Sequence, residues 1–112
     1  MFPLIVLIAI LPLLSYRGST DSAFVGEWES ITLPLDVIGR STFRSDHTYF
    51  GSVDDPQQGS FTGAGTWRID GSQIIFCDEQ HGESRSQILA LARDEIVVRG
   101  PDGIISAYAR IQ

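Results

Sequence analysis

Residues 60–70, SFTGAGTWRID, carry the strongest structural signal in the chain. Phe61, Trp67 and Ile69 alternate with polar residues such as Thr62 and Arg68. Alternation with a period of two is typical of a β-strand that has one face in a core and the other in water. Two glycines on the apolar face, at positions 63 and 65, favour a strand that coils tightly, as at the corner of a barrel.

The same alternation recurs on both sides of this stretch. No segment after residue 24 shows the 3.6-residue spacing of apolar residues that is typical of an amphipathic helix. The other predicted strands are residues 26–32, 40–44, 48–53, 73–77, 84–92, 95–100 and 104–111. Turn residues such as Gly71-Ser72 and Pro101-Asp102-Gly103 separate them. The pattern predicts an all-β fold, a small eight-stranded antiparallel up-and-down barrel, because closure removes the unpaired strand edges.

Length and composition limit the function classes. The chain has 112 residues, of which 43% are hydrophobic and 20% charged, as expected for one ordinary domain. Its net charge is −6, and all its basic residues are arginines scattered along the sequence. Nucleic acids and anionic bilayers bind concentrated basic surfaces, so neither is an expected partner.

The N-terminus differs from the rest. Residues 2–14, FPLIVLIAILPLL, are uninterrupted apolar residues, too few to span a bilayer and typical of a signal peptide. We therefore expect residues 1–23 to be a signal peptide or an N-terminal membrane anchor and residues 24–112 to be the barrel. The expected location is periplasmic or extracellular, or membrane-anchored if the segment is retained. The apolar segment itself is predicted to form an isolated helix that makes almost no contact with the barrel.

Four short motifs resemble the small lipocalin-like (calycin-type) domains of exported bacterial proteins. They are GEW at 26–28, TFRSDHTY at 42–49, GTWRIDG at 65–71 and YAR at 108–110. The resemblance covers residues 25–112, with one departure, because His47 replaces the glycine usual in that turn. It implies that Trp28 closes one barrel end beneath Arg110. A guanidinium stacked on an indole gains about 0.5–2 kcal/mol, which makes this structural role reasonable.

Large aromatic residues fall at the inward positions of the predicted strands. They could line a ligand cavity or pack into a core, and the shortness of the strands favours a filled core. If a cavity exists, its predicted ligand-binding residues are Phe43, Tyr49, Phe61, Trp67, Phe76 and Tyr108.

Reactive side chains do not assemble into a site. Cys77, Asp78, Glu79 and His81 include metal-ligand types but lie at a predicted hairpin tip, where neighbouring side chains diverge. Cys77 is predicted to face outward. His47 and His81 fall in predicted turns and are interpreted as solvated. We therefore expect no metal, no cofactor and no catalytic residue, so the chain is not predicted to be an enzyme.

Two functional hypotheses remain. The first is an exported, non-enzymatic binding module for a small apolar ligand or a partner protein. The alternative is a scaffold-type interaction protein, or an inhibitor of a secreted enzyme, that acts through its loops. A continuous apolar cavity would favour a small ligand, whereas a filled barrel with an apolar loop patch would favour a protein partner.

Overall fold

The computed structural model describes residues 17–111. These residues form one helix and eight strands: α1 (Arg17–Phe24), β1 (Gly26–Ser30), β2 (Ile38–Phe43), β3 (Thr48–Asp55), β4 (Gly59–Asp70), β5 (Gln73–Asp78), β6 (Gly82–Leu91), β7 (Glu95–Arg99) and β8 (Ile105–Arg110). Each strand pairs antiparallel with the next, and β1 pairs with β8 to close the barrel. The predicted all-β, eight-stranded antiparallel barrel is confirmed.

The apolar N-terminal segment, residues 2–14, and its predicted isolated helix lie outside the described residues. Among residues 17–111, no helix combines the length and apolarity needed to cross a bilayer.

Helix α1 crosses the predicted domain boundary between residues 23 and 24. Its sequence, RGSTDSAF, has weak intrinsic helix propensity, so the helix depends on packing, which Phe24 supplies by being almost fully buried.

The register of β4 and β5 agrees with the sequence pattern. Trp67 lies opposite Phe76 and Ile69 opposite Ile74, across a turn that contains Gly71. Trp67 is buried, as predicted from its parity with Ile69. Cys77 faces outward and is exposed, which also confirms the predicted register.

Strand β6 departs from strict alternation. Its register to β7 shifts between Ile88 and Ala90, a β-bulge in which Leu89 is the extra residue. Because of the bulge, Ile88 and Leu91 both contribute to the core although their positions have opposite parity. Period-two reasoning cannot place a bulge without a local glycine or proline to mark it.

The two ends of the barrel differ. At the closed end, α1 covers the opening, and Phe24, Trp28, Phe43 and Trp67 form a buried cluster. The open end carries the connections β1–β2, β3–β4, β5–β6 and β7–β8. No helix covers this end among the described residues.

Phe61 is on the predicted inner face of the sheet, but it is not enclosed in the barrel. Its side chain is 53% exposed, although its parity matches that of Trp67. β4 pairs with β5 only from Thr66 onward, so the β3–β4 hairpin extends past the barrel wall and carries Phe61 to the rim. The connection between these strands is shorter than the gap between the predicted strands 48–53 and 60–70, because β3 continues to Asp55 and β4 begins at Gly59.

Candidate functional site

A cavity of about 300 Å³ occupies the middle of the barrel, directly above the closed end. Its apolar wall consists of Phe24, Trp28, Phe43, Ile74, Phe76, Ile96 and Val98. The expectation of a completely filled interior is therefore wrong for this part of the barrel. The physical reason is side-chain size: three inward positions are occupied by Ser41, Ser84 and Ser86, which are too small to fill the space between the aromatic rings.

Hydroxyl groups supply the polarity of the inner cavity. Besides the three serines, Tyr49 and Tyr108 line it. Among residues 17–111, no charged side chain does so. An ionised ligand group would find no opposite charge there to offset the cost of losing its hydration, whereas transfer of a neutral apolar molecule out of water is favourable. The lining therefore suits an uncharged ligand that has few hydrogen-bonding groups.

Burial affects both tyrosines. Desolvation raises the pKa of the Tyr108 hydroxyl above its ordinary value of 10.0. Desolvation likewise raises the pKa of Tyr49, with a further contribution from the nearby charges of Asp78 and Cys77. Both phenols are therefore neutral at physiological pH and available as hydrogen-bond donors.

A second space of about 300 Å³ forms the mouth of the barrel. Leu33, Val53 and Phe61 contribute its apolar surface. Ser41, Tyr49 and Tyr108 line both this space and the inner cavity. These three residues therefore stand where the mouth meets the interior.

Exposed apolar side chains surround the mouth. Most of the large hydrophobic residues that remain exposed are at the open end: Ile31, Leu33, Leu35, Ile38, Phe61, Ile104 and Ile105. We call this set the apolar rim. Exposed apolar residues gathered at one end of a soluble protein often mark a binding site.

The closed end is held by Arg110. Its guanidinium lies 4.2 Å from the centre of the Trp28 ring, so the contact implied by the lipocalin-like resemblance is present. The same group donates hydrogen bonds to the carbonyls of Ala23 (2.8 Å), Val25 (2.9 Å) and Arg93 (2.8 Å). It thereby ties the helix, β8 and the β6–β7 turn together.

Trp28 and Gly26 complete this arrangement. The indole Nε1 of Trp28 donates to the carbonyl of Phe24 at 2.9 Å, which anchors the end of α1. Gly26 has a φ of +137°, and a Cβ at this position would overlap Nη1 of Arg110. Glycine is thus required at position 26 for both backbone conformation and space.

His47 lies in a turn with its side chain 45% exposed, as its sequence position predicted, but it also contacts α1. Its Nε2 lies 2.8 Å from a carboxylate oxygen of Asp21 in α1, and its ring centre lies 4.8 Å from that of Trp67. The residue retains a left-handed φ of +69°, as a glycine-type turn requires. His47 thus adopts the left-handed conformation that the turn needs and also contacts the helix.

The residues considered as metal ligands form a turn. Asp78 accepts hydrogen bonds from the amides of Gln80 and His81 and from the His81 ring. These bonds, the His81 amide foremost, lower the pKa of the Asp78 carboxyl. Within the described part of the chain, no group of three or more histidine, cysteine, aspartate or glutamate side chains is arranged to hold a metal.

The predicted ligand-binding residues separate into three groups. Phe43, Tyr49, Phe76 and Tyr108 line the inner cavity. Trp67 packs beneath it in the closed-end cluster, and Phe61 lines the mouth. Their role in binding stays a prediction.

Sequence reasoning missed the cavity-lining serines. Ser84 and Ser86 are two residues apart on one strand, a pattern that places small residues repeatedly on the inner face. That spacing was a usable signal for an incompletely filled interior. Phe24 was missed because it directly follows the segment interpreted as a leader.

Comparisons with known proteins show the fold. No family model matches the chain, and no curated protein matches it. The NMR structure of a protein from Bacteroides uniformis ATCC 8492 is similar, with a TM-score of 0.64 and 22% identity over 82% of this chain and 92% of that one. The crystal structure of the Cpx pathway activator NlpE from Escherichia coli has a TM-score of 0.53 and 15% identity over 79% of this chain and 45% of that one. At these identities the likeness concerns the barrel alone.

Proposed function

We propose that this chain is a non-enzymatic, lipocalin-like binding module that holds one small, neutral, mainly apolar molecule inside its barrel. The inner cavity of about 300 Å³ is the observation that supports the proposal. This volume lies at the lower end of the range of small-molecule pockets, about 300–1,000 Å³. The uncharged lining favours a neutral ligand, and the hydroxyls of Tyr49 and Tyr108 would orient its polar atom.

The proposed route of entry is the mouth. The apolar rim would collect an apolar molecule, which would pass Ser41, Tyr49 and Tyr108 to reach the inner cavity. The opposite route is obstructed by α1 and the aromatic cluster beneath it. We further propose that the chain is exported, on the basis of the apolar residues 2–14.

A fluorescence titration tests the ligand site. The neutral apolar dye N-phenyl-1-naphthylamine is titrated into the protein and into two single-residue variants. Ser41→Phe places a ring where the mouth meets the interior and should raise the dissociation constant at least about tenfold, a loss of about 1.4 kcal/mol. Thr42→Phe adds the same ring to the same strand on the outer face and should leave the constant unchanged.

Two results would overturn the ligand proposal. One is failure of the unaltered protein to bind the dye. The other is an equal effect of the two phenylalanine substitutions, which would place the dye outside the barrel. Native mass spectrometry of protein purified from its own host would complement the titration, since a retained ligand adds a defined mass.

A protein partner is the second candidate, because the apolar rim is exposed. Leu35, on the β1–β2 loop, is fully exposed, and Ile104 is 63% exposed on the β7–β8 turn. A photoreactive amino acid at position 35 should give a specific crosslinked adduct in the native host if the rim binds a protein. The same group at position 42, on the outer wall, should not.

A further inference from the structure

Strand β4 has one free edge. Residues 59–65 pair with β3, from Gly59 opposite Asp55 to Gly65 opposite Tyr49. The pairing of β4 with β5 begins only at Thr66. Residues 59–64 are exposed, so their free side faces solvent.

The backbone groups on this edge can be assigned from the ladder. The amide of Trp67 donates to the carbonyl of His47, towards β3. Successive residues of an antiparallel strand direct these groups to opposite sides. The amides and carbonyls of Ser60 and Thr62 therefore point away from β3, where no strand among the described elements pairs with them.

This edge lacks the usual protection against pairing. Soluble proteins cover or interrupt exposed edges with charged side chains, prolines, bulges or neighbouring elements. Residues 59–65 contain no charge and no proline, and their register to β3 is continuous. The residues are also small except for Phe61, which leaves the backbone accessible.

We propose that two copies of this chain associate through this edge, with their β4 strands antiparallel about a twofold axis at Phe61. The arrangement places Ser60 opposite Thr62 of the second copy and allows their free amides and carbonyls to form hydrogen bonds. The two Phe61 side chains then lie opposite each other and cover apolar surface that is 53% exposed in a single copy.

The surroundings of the edge are compatible with this register. Beside Gly65, the Cys77 carbonyl and the Cβ of Asp78 already occupy the adjacent space. Gly59 and Gly63 have no neighbouring atoms within 4 Å of an added Cβ. A register centred on Phe61 uses residues 59–63 alone and pairs these two glycines with each other.

Charge favours a second copy at this place. Each chain has a net charge of −6, so close approach of two copies is opposed over most of the surface. The contact segment itself is uncharged; the carboxylate of Asp54 on β3 accepts a hydrogen bond from the Ser60 hydroxyl at 2.6 Å, and Asp78 lies beyond the segment, beside Gly65. The short contact predicts a weak dimer, and the inference does not depend on the proposed ligand site.

Sedimentation velocity from about 10 µM to about 1 mM tests the proposal, a range in which a weak complex becomes populated. The unaltered protein should shift from monomer towards dimer. Thr62→Pro removes the outward amide at an edge position that tolerates proline, and should abolish the shift. Thr62→Ser keeps the amide and should still shift towards dimer as the concentration rises. Equal thermal unfolding midpoints of the two variants would show that both barrels fold.

Disulfide trapping tests the register. Phe61→Cys in a Cys77→Ser background should oxidise to a covalent dimer, because directly opposed residues at non-hydrogen-bonded positions are about 4.5 Å apart at Cα, within disulfide range. Phe50→Cys in the same background, 41% exposed on the outer wall in the native chain, is the matched control. The proposal is overturned if the protein stays monomeric at about 1 mM, if Thr62→Pro still dimerises, or if Phe50→Cys crosslinks equally well.

Discussion

The closed and open ends of the barrel are built from similar residue types that are used differently. At the closed end, Phe24, Trp28 and Trp67 are buried together, and Arg110 bonds the surrounding carbonyls. At the open end, Phe61 and Leu35 remain in contact with water. The difference shows that apolar residues are used in two ways in this chain: one group stabilises the fold, and the other remains exposed at the mouth, where the proposed ligand would enter.

Matched phenylalanine substitutions should show the largest difference between the ends. Phe24→Ala removes a ring that is 1% exposed and packed against Phe43 and Trp67, so we expect a loss of about 3–5 kcal/mol in the free energy of unfolding. Phe61→Ala removes a ring that is 53% exposed and should cost less than about 1 kcal/mol. Denaturant unfolding monitored by tryptophan fluorescence measures both. Equal losses would contradict the assignment of stability to the closed end.

Arginine substitutions should give the next largest effect. Arg110→Ala removes the contact with Trp28 and three hydrogen bonds to carbonyls, for an expected loss of about 2–3 kcal/mol. Arg93→Ala alters an exposed side chain in a turn at the same end and should change stability by less than about 0.5 kcal/mol. Thermal unfolding compares the two variants. Similar midpoints would mean that Arg110 does not stabilise the closure.

The contact between α1 and the β2–β3 turn should contribute less. Asp21→Asn weakens its interaction with His47, and because both side chains are 45% exposed, we expect a loss of about 0.5 kcal/mol. Asp36→Asn makes the same change in the exposed β1–β2 loop of the open end and should have no measurable effect. Chemical denaturation at low ionic strength is the appropriate measurement. A larger loss for Asp36→Asn would reverse the comparison.

The smallest expected effect on the free energy of unfolding is that of Tyr108, which lies between the two ends. It occurs only at alkaline pH. Burial raises the pKa of Tyr108, so the folded state favours the neutral phenol while the unfolded state ionises near 10.0. The stability that Tyr108 contributes is present below that pH and is lost as pH rises through the folded pKa. Tyr108→Phe should therefore reduce the decline in stability between about pH 8 and about pH 11. An unchanged decline would indicate that Tyr108 ionises freely in the folded protein.

Local patterns predicted most of the sheet because each strand encodes its own alternation. The opposition of Trp67 and Phe76 followed from parity on either side of one turn. The contact of Trp28 with Arg110 came from a family resemblance and from the requirement that a barrel be closed. These features depend on few residues at a time, which is why a single sequence sufficed for them.

The features that were not predicted depend on relative strand length and on the size of side chains from several strands. Phe61 has inward parity, but its exposure results from β4 extending beyond the start of its pairing with β5. The inner cavity exists because serines of β2 and β6 meet the same space. Helix α1 escaped prediction because packing, rather than propensity, stabilises it.

The seam between β1 and β8 has a consequence for the order of folding. Arg110 reaches back to a carbonyl 87 residues earlier in the chain, so the barrel cannot close until nearly the whole domain has been synthesised. Hairpins such as β4–β5 form between residues that are close in sequence. Pairing of β1 with β8 instead closes a very long loop, which costs more conformational entropy. A nascent chain that ends before β8 therefore leaves the Trp28 edge unpaired. Formation of the seam should accordingly be a late and slow event in folding.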